Sequence, residues 1–597
     1  MSKPRIGYTN LLETGTVTAS SEATGFDVEN VFDWLLYDWW KPNAAGNAEI
    51  NCSFSTYKNA DYLAIAGHTL GENGARAQLF YGDGTDYIPL GRTLADPYGL
   101  SSIFAPTTNR VGYMQMPVLG QNLLTYSEDF SNAAWSKSSV TITADTIAAP
   151  DGTTTADVLT YAAVSSANVR SAGVSAANGD MFTFSIYLKA ASATNVNIQM
   201  VTAGGGAPDS EFNSEETVSI GTTWQRFTKT VTLSGLSTDN AIYIYLVTRD
   251  SVARTIHAWG AQLEESATAG TYIKTIADPF DNGAKYWKVK FYAKQNLLTY
   301  SEQFDNAAWL GSTFSIAANS ATAPDGTTTA DSLIEDSGSG QKGTYQSYTY
   351  ATADHTLSVY AKAGTRDWIR IGTGTNHAWF NVSTGVVGTE VLCTGSMVLD
   401  SNGFYRCSVT MSLTAGTDNF YIFIANGDNV TAYTGDGASL VYIWGAQLEN
   451  APSAGAYQVT TTAAVSNNIG YAGVVSFGAS LELENGMMPG FKPPIFGNED
   501  EYINSISDNG AFIGRSLVRY GVSFDIKQSF MEPSFIRASY IPFLEHAQAK
   551  PFFFSWDNAD YNNEAAFCWA DGKIDIPGYS HTNYMEHTLK VNGRIIT

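Results

Sequence analysis

The sequence predicts a mainly β, multidomain protein of β-sandwich or jelly-roll type that ends in a small α+β domain. Three observations carry this. Apolar residues alternate with polar ones over many short stretches, the period of a strand with one buried face. A long segment occurs twice, and internal repeats decide architecture before any single element does. A chain of 597 residues is too long for one hydrophobic core, so several domains of ordinary size are expected.

Residues 1–120 open with an aromatic stretch, DVENVFDWLLYDWW. The alternating INCSFSTYKNADYLAIAGHTLGENGARAQLFYGDG follows, with glycine-rich turns. At 121–275 and 295–464 stand the two copies of the repeat. QNLLTYSEDFSNAAW at 121–135 returns as QNLLTYSEQFDNAAW at 295–309, and APDGTTTAD at 149–157 returns at 323–331. WGAQLEESATAGTYIKT at 259–275 returns as WGAQLENAPSAGAYQVT at 444–460. The second copy is the longer, with its extra residues expected in loops. Strands such as FTFSIYLKA, NVNIQMV and AIYIYLVT in the first copy, and HTLSVYAKA, FYIFIAN and LVYIWGAQL in the second, alternate as antiparallel sandwich strands do.

Between the copies lies YWKVKFYA at 286–293, and after the second comes IGYAGVVSFGASLEL at 469–483, which resumes the alternation of the first 120 residues. Joining 1–120, 276–294 and 465–495 makes one discontinuous domain of ordinary size. The two copies are then guests in the loops before and after one strand, since surface loops accept long insertions at small entropic cost. Residues 496–597 continue with SFDIKQSF, then a helical stretch, EPSFIRASYIPFLEHAQAK. There Pro533 suits a first turn, Phe535, Ile536, Tyr540, Phe543 and Leu544 form an apolar stripe, and Pro542 divides the helix. The strand-like PFFFSWD, AAFCWADGKIDI and MEHTLKVNGRIIT close the chain.

The repeated opening and closing motifs resemble carbohydrate-binding-like jelly-roll modules that are frequent in bacteriophage tail and other virion proteins. The discontinuous domain, with its Trp-bearing loop, YLAIAGHTLGENGA and a YGDG turn, resembles discoidin-type sandwiches. The last 100 or so residues are loosely similar to attachment domains of tail-tip and baseplate proteins. These resemblances imply a structural, non-enzymatic protein of a phage tail or baseplate whose modules face outward and aid adsorption to host-surface glycans. The partners expected are other virion tail proteins, further copies set by tail symmetry, and a cell-surface glycan. The alternatives are a pure assembly component with ligand-free spacer modules, and a polysaccharide depolymerase.

The net charge of −24, from 57 acidic against 33 basic residues, opposes binding to nucleic acid or anionic membranes. The N-terminal stretch has no apolar run of signal-peptide length and no segment is apolar enough to span a membrane, so synthesis in a host cytoplasm is expected; residence in a virion is what the resemblance implies. Cys52, Cys393, Cys407 and Cys568 are too scattered for a disulfide framework or a metal site and read as reduced core residues. The seven histidines form no HExxH, and no GxSxG, Walker loop or dinucleotide fingerprint occurs.

Sugar sites need flat apolar platforms for ring C–H faces bordered by polar groups for hydroxyls. In the second copy Arg366, Asp367, Trp368, Asn376, His377 and Trp379 are such a group; sandwich core is the competing reading of both tryptophans. In the first copy Asn195, Asn197, Gln199 and Asp209 offer polar groups without a nearby Trp. Trp34, Tyr37, Trp39 and Trp40 form the densest aromatic cluster, either a ligand loop or a packing interface. No cofactor is expected. The resemblance admits a structural calcium near Asp151 and Asp157, Asp325 and Asp331, or Glu264 and Glu449, but Asp-Gly is equally a routine turn pair, so the residues leave the metal undecided.

Overall fold

A computed structural model of the chain describes residues 3–70, 75–89, 111–116, 120–204, 212–236, 240–281, 283–470, 472–493, 501–507, 512–519, 521–556, 565–581 and 583–595. It is mainly β, with many antiparallel sheets; among the described residues the helical content is three short 3-10 turns and one longer helical stretch near the C-terminus. No helix among these residues is long and apolar enough to cross a membrane.

The framework strands meet across large sequence distances. Ala284–Tyr292 lies between Ala48–Lys58 and Arg76–Gly82, with Trp287 opposite both Cys52 and Tyr81. Val474–Gly478 pairs with Tyr62–Ala66, which pairs in turn with Val111–Gln115. Between these two sheets lies a core that includes Trp40, Ile50, Leu79, Trp287, Val289, Ile469 and Phe477. The second sheet is buried on its other face as well. There Tyr62, Ala64, Ala66 and Val474 meet Trp34, Phe553 and Phe567. Burial on both faces explains why YLAIA is an unbroken apolar run and why every position of VVSFG is buried, Ser476 included, where alternation is expected.

Phe553 and Phe567 belong to the C-terminal sheet, ordered Leu481–Glu482, Arg5–Gly7, Phe552–Ser555, Ala565–Ala570, Tyr584–Ile595 and Val522–Met531. Arg5–Gly7 therefore pairs with the C-terminal strands and not with the strands of residues 16–116 that follow it in sequence. The helix covers the far face of this sheet with Ile536, Tyr540, Phe543 and Leu544. Pro542 does not divide it. The turn Ile536–Tyr540 widens so that the Ile541 N–H reaches back to the Ile536 carbonyl, and the helix runs on to Ala549. The wider turn makes room for a proline ring within the helix.

Each copy of the repeat is a two-sheet sandwich with its own core. Each enters and leaves through a two-residue ladder, Gln121–Asn122 with Phe280–Asp281 in the first and Gln295–Asn296 with Val465–Ser466 in the second. The Tyr81 hydroxyl donates to the Lys274 carbonyl of the first module at 2.9 Å, while Arg76 donates to Ser453 and Glu449 of the second. The two contacts lie on one framework strand, roughly 17 Å apart at about 3.3 Å per residue.

The repeated motifs are fold-closing devices. Asn122 and Asn296, both fully buried, each donate two hydrogen bonds to backbone carbonyls and accept two from backbone N–H groups. Trp135 and Trp309 donate their indole N–H to the carbonyls of Tyr126 and Tyr300, and Trp259 and Trp444 donate theirs to Thr155 and Thr329. All four cysteines are free; Cys52, Cys407 and Cys568 are buried and Cys393 is half-buried.

Candidate functional site

Most of the acidic residues weighed as calcium ligands are engaged by the chain itself. Asp157 accepts from the backbone N–H groups of Phe130 and Asp145, and Asp331 accepts from those of Phe304 and Asn319. Burial pushes the Asp157 carboxyl up to about 6. Asp151 and Asp325 cap their own turns through Thr153 and Thr327, and Glu264 and Glu449 hold the N–H of Gly270 and Gly455. Among the described residues no three His, Cys, Asp or Glu side chains cluster as a metal site.

The aromatic cluster of the first domain divides. Trp40 is fully buried in the framework core, and Trp34 is wedged against Phe553 and Phe567 with its indole N–H on Glu13 at 2.6 Å. Trp39 stacks on Phe26 and donates to the Leu36 carbonyl, leaving Tyr37, 68% exposed, as the one ring directed to solvent. This is packing between layers, with no shared ligand surface.

In the second module the residues singled out from the sequence do not assemble as a loop platform. Arg366 makes a two-pronged ion pair with Glu335 at 2.8 and 3.1 Å and lies over Tyr433. Burial opposes it, but Arg366 and the Tyr433 hydroxyl hold the Glu335 carboxyl below the usual range. Asn376 closes a turn onto the Leu392 carbonyl, Asp367 is exposed, and Trp368 is half-buried. Trp379 is only 1% exposed: its indole N–H donates to the Val430 carbonyl, and His377 packs edge-on against it. A ring so covered offers no face to a sugar, which corrects the expectation for Trp379.

The register shows where an open polar and aromatic surface does lie. Ile369, Ile371, Phe380, Phe420, Ile422 and Ile424 point into the core, so the residues alternating with them form the sheet's outer face. Tyr345 sits opposite Tyr421, and Phe423 and Trp379 sit on either side of Arg370. The rings of Tyr345 and Tyr421 are 5.1 Å apart, and that of Tyr421 stacks on Phe423 at 4.8 Å. The two tyrosines are half-buried, and Ser347 and Asn419 flank them toward solvent, joined side chain to side chain. Arg370, 4% exposed, has its guanidinium 5.0 Å from the Phe423 ring and 5.7 Å from the Trp379 ring. Burial lowers its pKa.

The first module presents a similar face from different residues. Gln199 lies opposite Tyr245, which lies opposite Arg170, while Asn197 and Tyr243 are the next outward positions. Gln199 donates to Asn213, and Arg249 grips Glu215 with two nitrogens. Arg170 lies 5.0 and 5.9 Å from the rings of Tyr243 and Tyr245. So the aromatics that accompany Asn197 and Gln199 are tyrosines on the neighbouring strand. Their signal is the alternation in AIYIYLVT, where each Tyr follows a buried Ile. Asn195 is exposed beyond this face, and Asp209 lies outside the described residues.

No known protein family and no curated protein matches the chain. Among solved structures it is similar to the N-terminal tandem CBM22 domain from Paenibacillus barcinonensis, at 11% identity over 56% of this chain and 99% of that one, with a TM-score of 0.20. It is similar to the family 11 carbohydrate-binding module of a cellulosomal cellulase of Clostridium thermocellum, at 11% identity over 25% of this chain and 97% of that one, TM-score 0.20. A truncated AlyQ with CBM32 and alginate lyase domains is similar at 12% identity over 49% of this chain and 99% of that one, TM-score 0.13.

Proposed function

We propose that this chain is a non-catalytic, glycan-binding structural protein of a virion, at the tail or baseplate, in which a discoidin-like framework carries two jelly-roll modules that hold host-surface glycan. The observation that carries the binding part is the outer sheet face of the second module, where the paired rings of Tyr345 and Tyr421 lie beside Ser347 and Asn419. A sugar ring stacks its C–H face on such rings and gives its hydroxyls to the flanking amide and hydroxyl groups. The first module supports the same reading with Tyr243, Tyr245 and Asn197. The repeated motifs' resemblance to virion modules supports the location, and multiple copies on a particle would turn weak single contacts into avidity.

The test is a glycan-array and whole-cell binding measurement on the full chain beside a Tyr345→Ala, Tyr421→Ala variant. The affinity of the second module is expected to fall about tenfold or more, as when a central aromatic anchor is truncated. Immunogold labelling of purified particles checks the location. A spacer reading has the burial of Trp379 in its favour. Absence of glycan binding by the full chain, even when multimerised, would leave that reading as the better account.

A further inference from the structure

Arg170 and Arg370 differ from the other arginines of the two modules. Arg226, Arg249, Arg254, Arg366 and Arg406 each donate to an oxygen acceptor of the chain. Arg170 and Arg370 donate to none among the described residues; an Nε enclosed without an acceptor they share with Arg226 and Arg406, whose Nη groups are bonded. Both lie on the outer sheet face of their module, on aromatic rings, at positions that do not correspond in the two copies: Arg370 stands opposite Phe423 and Trp379, Arg170 opposite Tyr245 and Ser136. Two faces have thus acquired the same group separately. In a chain with 57 acidic residues, carboxylates to neutralise them are plentiful, yet neither pairs with one among the described residues. Arg370 is buried and Arg170 half-buried; a cation withdrawn from water without a counter-charge is costly, most of all for Arg370, and ring faces offset only part of that cost. The guanidinium fork is shaped to receive the two oxygens of a carboxylate.

We infer that the saccharide these faces take is acidic, a uronate-type polysaccharide whose sugar carboxylates are received by Arg370 in the second module and Arg170 in the first. This rests on the glycan-binding reading and names its substrate class. Neutral hydroxyls are served by the tyrosines, Ser347, Asn419 and Asn197; the arginines add discrimination for charge. The long-range field of a chain at −24 opposes a polyanion, so the preference must be local to these two side chains.

The experiment measures binding of the full chain to polygalacturonate, alginate and hyaluronate, each beside its carboxyl-reduced, neutral counterpart, with neutral glucans alongside. The expected result is at least tenfold tighter binding to an acidic polymer than to its reduced form. The Arg170→Gln, Arg370→Gln double variant should lose that preference with an unfolding midpoint that does not fall, since it removes a charge the fold does not pair. Arg170→Lys, Arg370→Lys, read in its place if the glutamine pair fails to fold, should lose most of it with the fork. Equal binding to acidic and reduced forms, binding to neutral glucans alone, or a preference that survives in the variants overturns the inference and leaves the glycan reading standing. Binding to no polysaccharide at all overturns both.

Discussion

Asn296→Ala is expected to destabilise the second module by about 4 kcal/mol and to leave the first module intact. The side chain is fully buried and uses both of its ends. Its Nδ2 donates to the carbonyls of Ala446 and Gln458, each at 2.9 Å, and its Oδ1 accepts from the N–H groups of Leu298 and Leu448 at 3.1 and 3.2 Å. One amide thereby ties the entry segment, the last long strand and the exit segment into one knot. Alanine leaves two backbone donors and two acceptors without partners, at about 1–3 kcal/mol for each that water cannot reach. Hydrogen–deuterium exchange checks it: amides of Leu440–Glu449 should exchange orders of magnitude faster, while those of Arg254–Glu264 in the first module serve as the internal standard. Asn122→Ala should reverse the pattern. Unaltered exchange in both strands would show that the amides do not hold the sandwiches closed.

The same asparagine shows what was legible in the sequence. QNLLTYSE and WGAQLE stand out because they recur almost unchanged, and they recur because they carry the knot, the indole caps and the left-handed turns at Tyr126 and Tyr300. Side chains that close a fold tolerate little variation, whereas those on an outward sheet face are free to diverge, as Arg170 and Arg370 have. Alternation in FYIFIAN already separates Tyr421 and Phe423 from Phe420, Ile422 and Ile424. What alternation cannot say is which outward residues a loop will cover. Trp379 and Tyr421 share one face, but Trp379 is capped by the Val430 carbonyl and buried, while Tyr421, met at its hydroxyl by Asn419, stays half-buried. The position of Arg5–Gly7 was illegible for another reason. Three residues have no pattern of their own, and their partners are Phe553–Ser555, at the far end of the chain.

Arg76→Met is expected to cost about 3 kcal/mol at pH 7, and visibly less near pH 5. Glu449 is 0% exposed and receives the Gly455 N–H on one oxygen at 2.8 Å and Arg76 on the other at 3.4 Å. Its counterpart Glu264 in the first module receives Gly270 alone, so the arginine is a framework contribution that fastens only the second module. Removing one partner of a buried pair strands the other's charge, at about 3–5 kcal/mol. Burial raises the Glu449 pKa and Arg76 opposes that rise, so without Arg76 it climbs further. A carboxyl whose folded pKa exceeds its unfolded value binds a proton more readily when folded. Its penalty is therefore full above the folded pKa and disappears as pH falls toward the unfolded value. Denaturant unfolding of the variant at pH 5 and pH 7 reads this directly. A second change, Glu449→Gln in the Arg76→Met background, should recover most of the lost stability, because a neutral amide oxygen still receives the Gly455 N–H and no charge is left to strand. A deficit that is the same at both pH values, or that the glutamine does not relieve, would mean that the pair contributes through packing alone.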